Sequence, residues 1–116
     1  MTYETLATEL ESRILTITLN RPEAMNSFTV EMAGELVSVF NAASEDDDVG
    51  CIIVTGAGKA FCAGMDLSIG GNVFGLDESI KPNLDDVRGR YNDEDIVTGV
   101  RDTGGRVRLA IFECKK

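Results

Sequence analysis

The chain has 116 residues, and its 20 acidic against 11 basic side chains give a formal charge of −9. That length holds one domain at most, and a charge of that sign repels a phosphate backbone and argues against general nucleic-acid binding. There is no histidine and the three cysteines lack Cys-x-x-Cys spacing, which removes zinc sites and the Ser-His-Asp and Cys-His nucleophile schemes from consideration within this chain. The N-terminal Met1-Thr2-Tyr3-Glu4-Thr5 lacks the basic region and apolar stretch of a signal peptide, and no apolar run approaches the ~20 residues that span a bilayer. A cytoplasmic protein with no membrane segment is expected.

Tyr3 to Leu10 alternates apolar and polar residues, and Ile14, Leu15, Ile17 and Leu19 follow after Glu11-Ser12-Arg13. The two runs predict a β-hairpin that starts a sheet. Asn20-Arg21-Pro22 ends the second strand, because proline cannot donate to a ladder and drives its predecessor out of the helical region. A connecting loop then runs to about Phe28. From Thr29 the apolar positions Val30, Ala33, Leu36, Val37, Phe40 and Ala43 recur at helical spacing, with Thr29 as N-cap and Glu31 near the positive end of the dipole. Glu45-Asp46-Asp47-Asp48 is unfavourable at a helix C-terminus, so it reads as a solvated turn before the next strand.

Cys51 to Val54 is continuously apolar and β-branched at three of four positions, the pattern of a strand buried on both faces. All three cysteines read as reduced thiols, with Cys51 and Cys114 in the core. Beyond Leu67 the chain turns polar and glycine-rich, which predicts a long mobile loop over 68–95. Near Asp95 the pattern recovers, with Ile96, Val100, Val107, Ala110, Ile111 and Cys114 on one face of a helix capped by Asn92 or Asp93. Gly104-Gly105 would lie inside that helix at about 1 kcal/mol per glycine relative to alanine, favouring a kink or break there.

The richest segment is Phe61-Cys62-Ala63-Gly64-Met65-Asp66-Leu67, just past the exit Thr55-Gly56-Ala57-Gly58. A strand that stops in a glycine-rich turn and re-enters a short helix exposes backbone N–H groups that can polarise a substrate oxygen. A phosphate loop is excluded, since it needs glycine where Ile53 stands and serine or threonine where Ala60 stands. A dinucleotide fingerprint fails as well, with Phe61 in place of the third glycine.

Asn20-Arg21-Pro22-Glu23-Ala24-Met25-Asn26, then the amphipathic helix, the apolar strand and Lys59 to Leu67, together resemble the enoyl-CoA hydratase/isomerase, or crotonase, family. The likeness is close over residues 3 to 67 and looser through the last helix. It implies an α/β fold, a spiral of strand-strand-helix units, of which residues 1–116 would form the N-terminal part of a single crotonase-like domain. It implies acyl-CoA thioester substrates, with coenzyme A as part of the substrate rather than a separate cofactor, no metal, and a homotrimeric or hexameric assembly. By the resemblance, the N–H of Met65 is one of two donors of an oxyanion hole. Ala63, Asp66 and Leu67 then lie along the CoA moiety near the adenine, and Ala24 and Met25 shape the other side of that groove.

Each of these residues also has a plainer role open to it. Ala24 and Ala63 are small enough to serve packing alone, Met65 can fill a gap over the sheet, and Asp66 can cap the short helix that follows. Arg21 suits either the CoA phosphates or a surface ion pair. Hydration or double-bond migration next to a thioester passes through an enolate, whose oxygen needs fixed donors. In the family the second donor and the catalytic glutamates lie beyond the position of Lys116, so this chain holds part of a hydratase or isomerase site and is expected to be inactive alone. The alternative is a non-catalytic CoA-thioester-binding or assembly member. The 70–95 loop would border and gate the acyl pocket, and the face around Val100, Val107 and Ile111 would lack a partner, leaving the isolated chain prone to self-association.

Overall fold

Ser12 and Arg13 both sit at positive φ, 51° and 69°, which gives a two-residue turn the twist that its flanking strands need. In the computed structural model this turn joins β1 (Leu6–Glu11) to β2 (Ile14–Leu19) antiparallel, with Glu11 opposite Ile14 and Leu6 opposite Leu19. The structure describes residues 2–76, 78, 79, 88, 89, 93, 94 and 101–116. After β2 a single turn of 3-10 helix (Pro22–Ala24) leads to α1 (Val30–Glu45), and β3 (Cys51–Gly56) returns parallel to β2. The sheet order is β1-β2-β3, and α2 (Thr103–Glu113) packs on α1.

The parity of β2 decides where the core lies. Leu15, Ile17 and Leu19 point to one face and are buried; their β3 partners Ile52 and Val54 share it. Against that face α1 buries Met32, Ala33, Leu36, Val39, Phe40 and Ala43. Thr29 starts α1 as expected, its Oγ1 accepting from the Met32 N–H at 3.1 Å. Glu35 on the same helix gathers the chain before β1, accepting from the N–H of Glu4 at 2.7 Å and of Thr5 at 2.9 Å. These bonds seat Leu6, the one buried residue of β1, over the start of the core.

Among the described residues β3 lies at the edge of the sheet, and this corrects two expectations. It pairs there only with β2, and its residues alternate between exposed and half-buried rather than being covered on both faces. Cys51 is exposed because strand side chains alternate: with Ile52 and Val54 turned to α1, Cys51 and Ile53 face the other way. Cys114 does pack, half-buried, against the core.

The acidic run splits at the helix boundary. Glu45 closes α1 and Asp46 is its C-cap, while Asp46 Oδ1 accepts from the Asp48 N–H at 2.9 Å in the turn that follows. The unfavourable charge at the end of α1 meets Lys115, whose Nζ lies 2.7 Å from Glu45 Oε1 in an exposed pair. Such a pair contributes little on its own.

Asp102 is the N-cap of α2, accepting from the Gly105 N–H at 2.6 Å; the stretch 95–100, on which a start capped by Asn92 or Asp93 depends, lies outside the described residues. Gly104 and Gly105 thus fall in the first turn, where their cost is small, and the helix runs unbroken to Glu113. Val107 and Ala110 are buried, Val107 therefore being covered rather than left without a partner, whereas Ile111 is exposed. Asn92, Ile96 and Val100 lie outside the described residues, as do 77, 80–87, 90, 91 and 95 of the loop expected over 68–95.

The cap bond of α1 sets a first test. Thr29→Ala should lower stability by about 1 kcal/mol while Thr29→Ser keeps most of it, read from denaturant unfolding midpoints of the two variants against the parent.

Candidate functional site

Two loops leave the same end of the sheet, one after β2 (residues 20–28) and one after β3 (residues 57–68). Parallel pairing of β2 with β3 makes this inevitable, since it brings Leu19 opposite Gly56. Gly56 permits a sharp exit: a Cβ there would stand 2.5 Å from the Ala60 carbonyl oxygen and 2.7 Å from that of Phe61, which backbone atoms cannot yield to. The Ala57 N–H continues the ladder by donating to Leu19 O at 2.9 Å.

Asn26 joins the loops. Its side chain is fully buried; Nδ2 donates to Ala57 O and to Ala60 O, both at 2.9 Å, and Oδ1 accepts from the Arg21 N–H at 2.8 Å. One amide thus satisfies two carbonyls of the second loop and one N–H of its own. Met25 and Asn26 both adopt the left-handed region, φ 53° and 55°. Asparagine tolerates this region, whereas for methionine it costs roughly 1 kcal/mol or more and persists because the surroundings enforce it.

Further along, the loops run side by side. The Ala63 N–H donates to Met25 O at 3.1 Å, the Phe28 N–H to Gly64 O at 2.7 Å and the Asp66 N–H to Phe28 O at 2.8 Å. Phe28 and Met65 therefore form a parallel bridge. In such a bridge the bonds go to the residues flanking Met65, and a trans peptide points its N–H opposite to its carbonyl. With Gly64 O turned toward Phe28, the Met65 N–H points away from the first loop, and it takes no partner among the described residues. Gly64 adopts φ 108°, a conformation closed to L side chains, with open space around it. The glycine is needed for its backbone rather than for room.

Charge at the site is concentrated in one pair. Arg21 Nη2 lies 3.1 Å from Asp66 Oδ2, both side chains mostly buried, and Arg21 Nη1 donates to Ser27 O at 2.6 Å and Oγ at 3.0 Å. Asp66 Oδ1 accepts from the Ser68 N–H at 2.9 Å and from Ser68 Oγ–H at 2.6 Å. The Ser68 hydroxyl and N–H, followed by Arg21, pull the Asp66 carboxyl down to about 2. A group with that value is ionised at neutral pH and too weak a base to move a proton. Glu23 and Asp66 are the only carboxylates on these two loops, and among the described residues no cluster of three or more His, Cys, Asp or Glu is placed to hold a metal ion.

All six residues singled out by sequence thus stand on two stitched loops: Ala24 and Met25 on the first, Ala63, Met65, Asp66 and Leu67 on the second. Met25, Ala63 and Leu67 are exposed; Ala24, Met65 and Asp66 are half-buried. Asp66 corrects an expectation, for no helix follows it to be capped. The chain turns instead, Gly70 N–H donating to Leu67 O at 3.2 Å, and Asp66 closes an Asx turn on Ser68. Of the two roles open to Arg21, the structure forms the ion pair. Asn26 and Ser68 were not legible as site residues. The one available signal was an asparagine ending a Pro-initiated loop, which suits a left-handed turn but does not name its distant partners.

Two outcomes are expected here. Asn26→Asp turns a carboxylate onto the Ala57 and Ala60 carbonyls and should cost about 2–3 kcal/mol, measured as a lowered denaturant midpoint, with Asn26→Ala destabilising in the same sense. Asp66 should titrate near 2 when its carboxyl carbon is followed by NMR. Its folded value is depressed, so its link to Arg21 is complete above about pH 4 and is lost as pH falls through 2. A midpoint near 4 in the folded protein would contradict the pairing.

A sequence model of the enoyl-CoA hydratase/isomerase family matches residues 9–98. A probable enoyl-CoA hydratase of Mycobacterium tuberculosis is 45% identical over 67 residues, covering 58% of this chain and 26% of that protein. The 1,2-epoxyphenylacetyl-CoA isomerase of Escherichia coli is 43% identical over 65 residues, or 56% of this chain and 25% of that protein. The chain spans about a quarter of the length of these curated relatives. Among solved structures, an enoyl-CoA hydratase/isomerase from Xanthobacter autotrophicus superposes with a TM-score of 0.57 at 43% identity, over 59% of this chain and 25% of that one. Another from Pseudoalteromonas atlantica superposes over 96% of this chain and 35% of that one, with a TM-score of 0.63 at 25% identity.

Proposed function

Since this chain belongs to the enoyl-CoA hydratase/isomerase family, with the α/β fold of an N-terminal portion of a crotonase-like domain, we propose that it supplies one half of an oxyanion hole for an acyl-CoA thioester. The Met65 N–H is the donor. What supports this reading is its unpaired N–H on a peptide plane that Phe28 holds in place.

Hydration or isomerisation of an enoyl thioester moves negative charge onto the thioester oxygen. A donor already fixed where that charge develops lowers the barrier without reorganising. On this reading Met65 contributes only its backbone, which is why a methionine serves as well as another side chain. Ala24 and Met25 form one wall of the CoA groove and Ala63, Asp66 and Leu67 the other. Asp66 acts there as an ionised anchor rather than as the acid or base.

The proton-transfer carboxylates and the second donor come from a further segment of the same domain, so that 1–116 is its N-terminal part and is inactive alone. The complete protein is a cytoplasmic homotrimer or hexamer. The 68–95 segment borders the acyl pocket. Among the described residues no helix is long and apolar enough to cross a membrane.

Loss of one oxyanion donor typically costs about 2.7–4 kcal/mol, or 10²–10³ in kcat. Met65→Pro in the complete protein should lose that much enoyl-CoA turnover, and an α-hydroxy acid at position 65, which replaces the N–H by an ester oxygen, should do the same without the ring. Met65→Leu should stay close to the parent. Full turnover in a folded Met65→Pro variant would refute the assignment, and CoA-thioester binding without turnover in the parent would favour a non-catalytic member of the family.

A further inference from the structure

The bridge between the loops consists of two backbone hydrogen bonds, Phe28 N–H to Gly64 O and Asp66 N–H to Phe28 O. With Ala63 N–H to Met25 O they hold residues 63–66 from the Met25 and Phe28 side, and among the described residues no backbone bond beyond Asp66 joins the two loops. Arg21 supplies the link at that end. Its Nη1 reaches Ser27 O and Oγ, one residue before Phe28, and its Nη2 reaches Asp66 Oδ2, one residue after Met65.

The guanidinium is planar and its arms keep a fixed angle, so it behaves as a strut between the two segments. The far end is secured in turn, because Ser68 N–H and Oγ–H hold the other oxygen of Asp66. At the near end the Arg21 N–H donates to Asn26 Oδ1. Both Nη atoms are thereby committed to protein oxygens, and the side chain is only 22% exposed, an arrangement unlike that of a cation left open for a phosphate.

We propose that Arg21 is a positioning residue: by bracing Ser27 against Asp66 it fixes the direction of the Met65 N–H toward a thioester oxygen. The inference rests on the reading of Met65 as the oxyanion donor, and its substrate class is the same acyl-CoA thioester.

The test uses the complete protein and a short-chain trans-2-enoyl-CoA labelled with 13C at the thioester carbonyl. Arg21→Met should lower kcat about 10-fold or more, as misplacement of a catalytic group does, with KM nearly unchanged. Arg21→Lys keeps the charge but not the fork, and should share the loss. Asp66→Asn preserves shape but breaks the ion pair and should lower kcat, which keeps the idea testable if Arg21→Met does not fold. In each variant the carbonyl stretch of the bound thioester should move back toward its value in free substrate. A raised KM in Arg21→Met that Arg21→Lys restores, at full kcat, would make Arg21 a phosphate-binding cation and overturn the proposal. If Met65→Pro abolishes turnover while the Arg21 and Asp66 variants keep both kcat and the carbonyl shift, the brace is wrong and the donor stands. If Met65→Pro keeps turnover and shift, the donor reading fails and the brace falls with it.

Discussion

The side-chain amide of Asn26 is the constraint on which the candidate site depends. Buried carbonyls left without a donor cost about 1–3 kcal/mol each, and Ala57 O and Ala60 O both find theirs in this one group. Because the same amide accepts from Arg21 N, it fixes the entry of the first loop and the tip of the second together. Ala63, Phe28 and Asp66 can then exchange backbone bonds across the gap. The left-handed pair Met25 and Asn26 is sustained by this network, so local strain and site geometry share one cause.

The sheet contributes by direction rather than by chemistry. Only a parallel return of β3 next to β2 puts the exits of both strands at one end, and a parallel return requires a crossover such as α1. The helix is long enough to make that crossover and apolar enough along one side to bury Ile17 and Leu19 beneath it. The fold therefore delivers two loops to one place, and the loops carry every residue of interest.

Elements governed by local rules were legible from sequence. The hairpin followed from two apolar runs on either side of Glu11-Ser12-Arg13, and α1 with its Thr29 cap from helical periodicity. The placing of the six site residues on two loops followed from motif position, and the structure brings those loops together. What escaped depended on distant partners. Cys51 shares an apolar run with Ile52 and Val54, and only the position of α1 reveals which parity is covered. Glycines at 104 and 105 read as helix breakers until Asp102 is seen to cap the turn that contains them. The bonds of Asn26 span 31 and 34 residues, and no local pattern encodes an amide's choice of carbonyl. Arg21 carried two open roles for the same reason, its partner being 45 residues away.

Those separations also order the assembly of the molecule. The β1–β2 hairpin closes across Ser12 and Arg13, a short loop that forms within microseconds. The Arg13 carbonyl then accepts from the N–H of Gly50 and Cys51, a contact that must wait until α1 has brought the chain back. Contacts between the two site loops lie behind that same closure, and longer closures carry a larger entropic cost before their contacts form. The hairpin is thus an early scaffold and the pairing of the two loops a late product, which forms only after the β2-α1-β3 unit has locked.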